Sequence, residues 1–404
     1  MGKTSKTLFL TRANKLLICF SIFFVVIILI IYSDSVLLND EANYFQIKSA
    51  AITRMPLRSM KEEVREVGRE NTNPFRPPFN LTEQERIGWF QRKLPEFEIF
   101  KSDSVTKQFH SRILQFLGPQ CEVRVFMTWI SPARLFGSRE ILTMESLFKA
   151  HPNGCLVILS RTMDSVIGYR ILKPLIDQGF HVQAVTPDLS FLFKETPAET
   201  WLDELKTGKK DPGEIPLPQN LSNLMRLAVL YKYGGIYLDT DIIILKPLNR
   251  LRNTIGAQSL DVVSRNWTRL NNAVLIFDMN HPLLFKFIEE FAMTFDGKKW
   301  GHNGPYMVSR VVERLGTRPG FNFTILPPMG FYPVKWTKID GLFRKPKSEG
   351  ESRWVKAKLL QLSEETYGVH LWNRQSNRLL IEEGSVMGNL ISDHCVICKH
   401  VYNS

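Results

Sequence analysis

The sequence predicts an α/β fold, a largely parallel and covered sheet, carried behind a single N-terminal membrane-spanning helix. Three observations lead there. Leu16–Tyr32 is an uninterrupted apolar run without a charge. From Glu122 onward, short β-rich runs alternate with segments of helical periodicity. The composition, 44% hydrophobic and 23% charged with 24 Gly and 22 Pro, is globular, which excludes wholesale disorder, collagen and a polytopic membrane protein. A chain of 404 residues is long for one ordinary domain unless part of it is anchor or linker. Five cysteines are too few to build the fold on disulfides, so the core must be apolar. A formal net charge of +12 suits an anionic partner, without choosing among nucleic acid, phospholipid headgroups and a phosphorylated small molecule.

As a helix, residues 16–32 are roughly 25 Å long, near the lower limit for crossing a bilayer. Lys3, Lys6, Arg12 and Lys15 precede the run with no acid among them, and Asp34, Asp40 and Glu41 follow it. The positive-inside bias leaves residues 1–15 as a cytosolic tail and sends everything after Ser33 into the lumen, a single-pass type II arrangement. The run is longer than a signal-peptide core and no small-x-small cleavage site follows closely, so a retained signal-anchor is expected. So short a span suits a thin early-secretory membrane. Lys6 stands where myristoylation of Gly2 would need Ser or Thr.

Residues 33–121 read as a lumenal stem. Met60–Glu70 is a charge run that fits a solvated helix face, and the three prolines within Asn73–Phe79 cannot continue a helix. Glu83–Leu94 has room for one short helix against the body. Four Asn-x-Ser/Thr triplets, at Asn80, Asn220, Asn266 and Asn322, are candidate glycosylation sites in a lumenal chain. Cys121, Cys155, Cys395 and Cys398 share the oxidising lumen, with three pairings open. Cys395-Val-Ile-Cys398 lies beside His394 and His400, but the spacing fits no zinc pattern, and a structural disulfide is the better reading. Cys19 falls within the anchor.

In the body, residues 122–404, Val123–Ile130 and Cys155–Leu159 are strands, with the helical pattern of Ser138–Ala150 between them. A helix near Asp164–Asp177 then precedes a strand at His181–Val185. Strand and helix alternating over this stretch imply parallel pairing and a nucleotide-type ligand at the carboxyl ends of the strands.

Asn220–Leu245 carries the chemistry. Leu221, Leu224, Ala228 and Tyr231 recur at helical spacing as a buried stripe, while Asn223 and Arg226 share a neighbouring face. Gly234-Gly235 stops the helix and allows a tight turn. Ile236–Leu238 enters a strand, and Asp239-Thr240-Asp241 follows before Ile242–Leu245 returns to apolar packing. Read as extended chain, the two carboxylates face one space. Convergent carboxylates after an apolar strand are costly unless a cation or strong donors neutralise them, and oxygen ligands favour Mn²⁺ or Mg²⁺. A bare Asp-x-Asp is weak evidence; the preceding arginine, the glycine pair, the aromatic at Tyr237 and the apolar exit make a joint pattern.

That pattern resembles the sugar-nucleotide region of DXD glycosyltransferases, and the chain is similar to the α1,4-glycosyltransferase group of glycosyltransferase family 32, including its plant members. The likeness runs from about Val123 to His394 and includes Leu270–Ile276, His302–Pro305 and Val369–Asn373. It implies a GT-A (Rossmann-like) fold with donor-binding residues 122–250 and acceptor residues 251–404. It also implies a divalent cation, a UDP-sugar donor (UDP-galactose or UDP-N-acetylglucosamine), a glycan or glycolipid acceptor, and transfer with retention. By position, Asp241 is then a direct metal ligand and Asp239 meets the metal-bound diphosphate and ribose. His370 completes the metal shell, Arg226 and Asn223 hold ribose and sugar, Trp129 stacks on uracil, and Asn271 and Asn272 read hydroxyls. Each also has a plain structural reading: Trp129 as core, His370 bonded within the body, the asparagines as turn residues. The expectation is a Golgi-resident, metal-dependent hexosyltransferase making an α1,4 linkage. The alternative is an inactive, membrane-tethered carbohydrate-binding or scaffold protein. Scattered basic residues and a lumenal body argue against a nucleic-acid partner.

Overall fold

The computed structural model describes residues 75–399 except Thr317. The expected cytosolic tail and membrane anchor lie outside these residues; among the described ones, no helix is long and apolar enough to cross a membrane.

A seven-stranded sheet forms the centre, in the order β3-β2-β1-β4-β7-β6-β8. Its strands are β1 (Arg124–Thr128), β2 (Cys155–Leu159), β3 (His181–Val185), β4 (Gly235–Leu238), β6 (Thr254–Leu260), β7 (Trp267–Phe277) and β8 (Thr324–Leu326). A second sheet of two strands pairs β5 (Ile242–Ile244) with β9 (Gly368–His370). β1 to β4 are parallel as the sequence predicts, but β7 runs antiparallel to both β4 and β6. The sheet is therefore mixed: β6 and β7 are joined by a short hairpin, which enforces antiparallel pairing without a crossover helix.

The central strands β1, β2 and β4 are apolar over most of their length because both faces are covered. Alternate residues go to opposite sides. Phe126, Val157, Tyr237 and Leu275 face one core with α5 (Leu217–Tyr233), α6 (Pro282–Thr294) and α7 (Pro305–Leu315). Val125, Met127, Ile158, Leu238 and Val274 face the other with α3 (Ser138–Ala150) and α4 (Val166–Asp177). A third cluster joins β5 and β9 to α8 (Glu349–Glu365) and α9 (Val386–His394) through Ile243, Val369, Leu362 and Leu390.

The stretch read as a stem does not stay apart from the body over its described part. α1 (Glu83–Lys93) and α2 (Phe109–Phe116) bury Phe90, Phe109 and Ile113 in the first core, along with Phe97 and Ile99 between them. Arg86 Nε donates to Asp211 Oδ1 at 3.0 Å, and Arg112 pairs with Asp164 at 2.6 Å. Cys121 is bonded to Cys155 at the start of β2, and Cys395 to Cys398, which resolves the open pairing.

Candidate functional site

The site grows from the end of α5. Gly234 and Gly235 have φ of 62° and 115°, and a Cβ at Gly235 would lie 2.5 Å from the Arg124 carbonyl. Only glycine lets the chain leave the helix and enter β4 this close to β1. β4 ends at Leu238, and Asp239-Thr240-Asp241 then forms a turn leading into β5. The carboxylates converge because of that turn, not through the extended-chain alternation expected from the sequence.

β5 pairs antiparallel with β9, and the register sets Ile242 opposite His370. One step back along β5 is Asp241, whose carbonyl accepts from Leu371 N–H at 2.8 Å. Pairing between segments far apart in the chain thus carries His370 to the acids. Asp239, Asp241 and His370 each offer a ligand atom, all within 4.8 Å of one another.

Each side chain is held. Arg226 projects from α5 and is 3% exposed. Its Nη2 lies 2.9 Å from Asp239 Oδ1, Nη1 donates to the Asn272 carbonyl at 2.8 Å, and Nε donates to the Ser222 carbonyl at 3.2 Å. The guanidinium also sits 4.6 Å above the Tyr237 ring centroid. Tyr237 donates its hydroxyl to Asp239 Oδ1 at 3.0 Å and lies 2.8 Å from Thr128 Oγ1. Burial pushes the Tyr237 phenol well above its ordinary value, which keeps it a donor. Burial likewise raises the Asp239 carboxyl; Arg226 pulls against that and the charge of Asp241 adds to it. Two acids this close are relieved by a further cation.

Asp241 Oδ2 accepts from Asn373 N–H at 2.9 Å, and Asp241 Oδ1 lies 3.5 Å from His370 Nε2. Trp372 N–H donates to His370 Nδ1 at 3.1 Å, and the other ring nitrogen, Nε2, is the one beside Asp241. The Asp239 side chain keeps 28% of its exposure while Asp241 keeps 11%, leaving the cluster open on one side. Asn373 Oδ1, next to the backbone N–H that holds Asp241, is buried with no hydrogen-bond partner among the described residues. Two carboxylates and one imidazole fit a divalent cation of the Mn²⁺ or Mg²⁺ type.

The other expected residues divide. Asn223 accepts from Asn272 Nδ2 at 2.9 Å, and a Cβ at Gly304 would come 3.0 Å from Asn223 Oδ1, so both asparagines belong to the buried network behind Asp239. Asn271 is turned elsewhere, donating to Gln258 Oε1 at 2.9 Å and accepting from Ala273 N–H. Trp129 follows the end of β1 and packs edge-on against Phe136, its indole N–H donating to the Pro132 carbonyl at 3.3 Å. Of the triplet asparagines, Asn80, Asn266 and Asn322 are exposed, but Asn220 is 3% exposed and accepts from Asn303 Nδ2. A glycan at Asn220 would require opening the core, so it leaves the list of acceptor sites. The sequence reading overlooked Thr128, the hydroxyl role of Tyr237 and the contribution of Asn373. Tyr237 had a signal, since it stands two residues before Asp239; Thr128 and Asn373 arrive only through pairing.

The mixed α/β sheet with an Asp-x-Asp turn at the end of β4 is consistent with a DXD-type glycosyltransferase. Comparisons with known proteins agree. A family described as "Glycosyltransferase sugar-binding region containing DXD motif" matches residues 137–260, and one described as "Alpha 1,4-glycosyltransferase conserved region" matches residues 276–402. An uncharacterized protein of Arabidopsis thaliana is 32% identical over 71% of this chain, which spans 44% of that protein's length. Mouse lactosylceramide 4-alpha-galactosyltransferase is 33% identical over 66% of this chain and 71% of its own. Human alpha-1,4-N-acetylglucosaminyltransferase is 26% identical over 52% of this chain and 58% of its own. The chain belongs to the α1,4-glycosyltransferase family.

Proposed function

We propose that the protein is a metal-dependent retaining hexosyltransferase that moves a hexose or N-acetylhexosamine from a UDP-sugar to a glycan or glycolipid hydroxyl in an α1,4 linkage. The convergence of Asp239, Asp241 and His370 within 4.8 Å, in a chain of this family, carries the reading. The relatives' names include both a galactosyl and an N-acetylglucosaminyl transferase, so UDP-galactose and UDP-N-acetylglucosamine are both candidate donors. The apolar run at residues 16–32 supports a type II anchor in the Golgi membrane with the body lumenal. The second reading, an inactive carbohydrate-binding scaffold, has no observation in its favour: the cluster is intact and its supporting network complete.

In this mechanism Asp239, Asp241 and His370 would hold Mn²⁺ or Mg²⁺. When bound, the cation supplies charge stabilisation for the departing diphosphate, typically several kcal/mol. The chain does the positioning. Arg226 and Tyr237 fix the Asp239 carboxylate from behind, and the Asn373 amide fixes Asp241. Because both supports are in place before any ligand arrives, no reorganisation is required at the moment of reaction. Residues 122–250 serve the donor and residues 251–404 chiefly the acceptor, with His370 and Asn373 of the second stretch reaching the donor side. No Asp or Glu is singled out by its spacing as a nucleophile on the opposite sugar face. Retention is therefore assigned to same-face substitution: the acceptor oxygen forms the new bond to the anomeric carbon as the bond to the diphosphate breaks. The hydroxyl proton passes to the leaving diphosphate.

The test is UDP release by the full-length chain in detergent, across a donor panel, with Mn²⁺ or with a chelator. Asp241→Asn is expected to abolish turnover with an unchanged thermal midpoint. A purified variant that works normally refutes the metal assignment.

A further inference from the structure

The cluster has two halves that come from distant parts of the chain, the Asp239–Asp241 turn and the His370–Asn373 segment. Something must set the distance between them. β5–β9 pairing does part of this, but each of those strands is only three residues long. One helix, α3, touches both halves and a third region besides.

Thr143 Oγ1 donates to the carbonyl of Thr240, the middle residue of the acidic turn, at 3.0 Å. One turn on, Ser146 Oγ accepts from Ile244 N–H at 2.9 Å and donates to the Thr143 carbonyl at 2.8 Å, which ties β5 to the same helix. At the helix start, buried Arg139 reaches the segment after His370: Nη1 donates to Ser376 Oγ at 3.4 Å, and Nη2 donates to the Leu379 carbonyl. Ser376 in turn donates to the Leu371 carbonyl at 2.6 Å, next to His370.

The remaining buried polar residue of the helix faces another way. Glu145 is wholly buried, and its Oε2 accepts from three consecutive backbone amides, Val396 at 3.0 Å and Ile397 and Cys398 at 2.8 Å. Those amides converge because Cys395 and Cys398 are bonded to each other and Cys398 takes a φ of 63°. A buried carboxylate without such donors would be strongly unfavourable, so the closed loop and the helix hold each other.

We propose that α3 is the strut that sets the metal cluster. Thr143 acts as a positioning residue for the Asp239–Asp241 turn, and the Cys395–Cys398 loop clamps the strut through Glu145. The proposal rests on the metal-dependent reading above and adds to it a role for residues that touch neither metal nor sugar. It also gives the C-terminal cysteine pair a task at the site: with the loop open, Glu145 loses convergent donors, the helix loosens, and the turn carbonyl held by Thr143 is released.

Direct binding of Mn²⁺ alone tests it, read by the loss of the free-ion electron paramagnetic resonance signal on titration of the full-length chain in detergent. Thr143→Val keeps the side-chain shape and removes one hydrogen bond, which corresponds to about five-fold weaker Mn²⁺ binding. Thr143→Ser, which keeps the hydroxyl, is expected to recover most of that loss. The double variant Cys395→Ser with Cys398→Ser is expected to weaken binding in the same direction while the protein still unfolds cooperatively. Wild-type affinity in Thr143→Val overturns the strut, as does a Thr143→Ser variant as weak as Thr143→Val. A wild-type chain that binds no Mn²⁺ overturns the metal reading itself, and the strut with it.

Discussion

Tyr237 shows how one side chain serves both core and chemistry. Its ring is fully buried beneath the Arg226 guanidinium, while its hydroxyl reaches Asp239. Tyr237→Phe keeps the packing and removes a hydrogen bond to a charged acceptor, so kcat/KM is expected to fall about tenfold with little change in stability. Steady-state kinetics beside a thermal melt check this; unchanged kinetics would mean the hydroxyl does not serve the reaction. Arg226 illustrates the limit of reading residues from sequence. Its face was legible from a spacing of three on α5, and the resemblance implied a contact to ribose or sugar. In the structure its donors go to Asp239 and to the Asn272 and Ser222 carbonyls, a set visible only once β7 lies beside the helix. Asn223 and Asn272 follow the same pattern, bonded to each other across two elements.

Among elements, the helix–glycine–strand passage was the most legible, because local chemistry dictates it. Gly235 is required twice over, by its φ of 115° and by the Arg124 carbonyl 2.5 Å from where a Cβ would stand. Gly235→Ala is expected to cost about 2 kcal/mol, measurable by denaturant titration. A neutral result would show that β1 and β4 can part there. The β5–β9 pair was not legible. Three isoleucines read as an apolar return to the core, and nothing local says that they will meet Gly368–His370. The expectation that His370 lies near the acids came from resemblance, and the antiparallel register is what physically places it. The mixed sheet was missed for a similar reason: alternation of strand and helix stops after β4, and a hairpin then reverses the chain.

At the scale of the whole molecule, the N-terminal arm from residue 75 to Cys121 is sealed onto the sheet by apolar side chains and by ion pairs. The Arg112–Asp164 pair is the most telling. Burial pushes the Asp164 carboxyl upward, but the Arg112 guanidinium and the hydroxyl and amide of Thr186 together hold it below its ordinary value of 3.8. A depressed carboxyl contributes stability that is fully present above the unfolded value and is lost as pH falls through the folded one. Asp164→Asn is therefore expected to cost about 2 kcal/mol at neutral pH, and the gap to wild type should shrink as pH falls below 3.8. Chemical denaturation at a series of pH values checks this; a gap that widens in acid would contradict the pairing. The arm escaped the sequence reading because its helices are short and its prolines and charge runs look like linker, although Phe90, Phe97, Phe109 and Ile113 were there to be noticed.

Where the arm sits governs how the protein can be cut for study. A fragment begun at Glu122, where the strand–helix alternation starts, would discard those four side chains and Cys121, baring a hydrophobic trough and leaving Cys155 a lone thiol beneath it. Such a piece invites clumping and thiol mispairing under oxidising conditions. One begun ahead of Phe75 keeps its own lid.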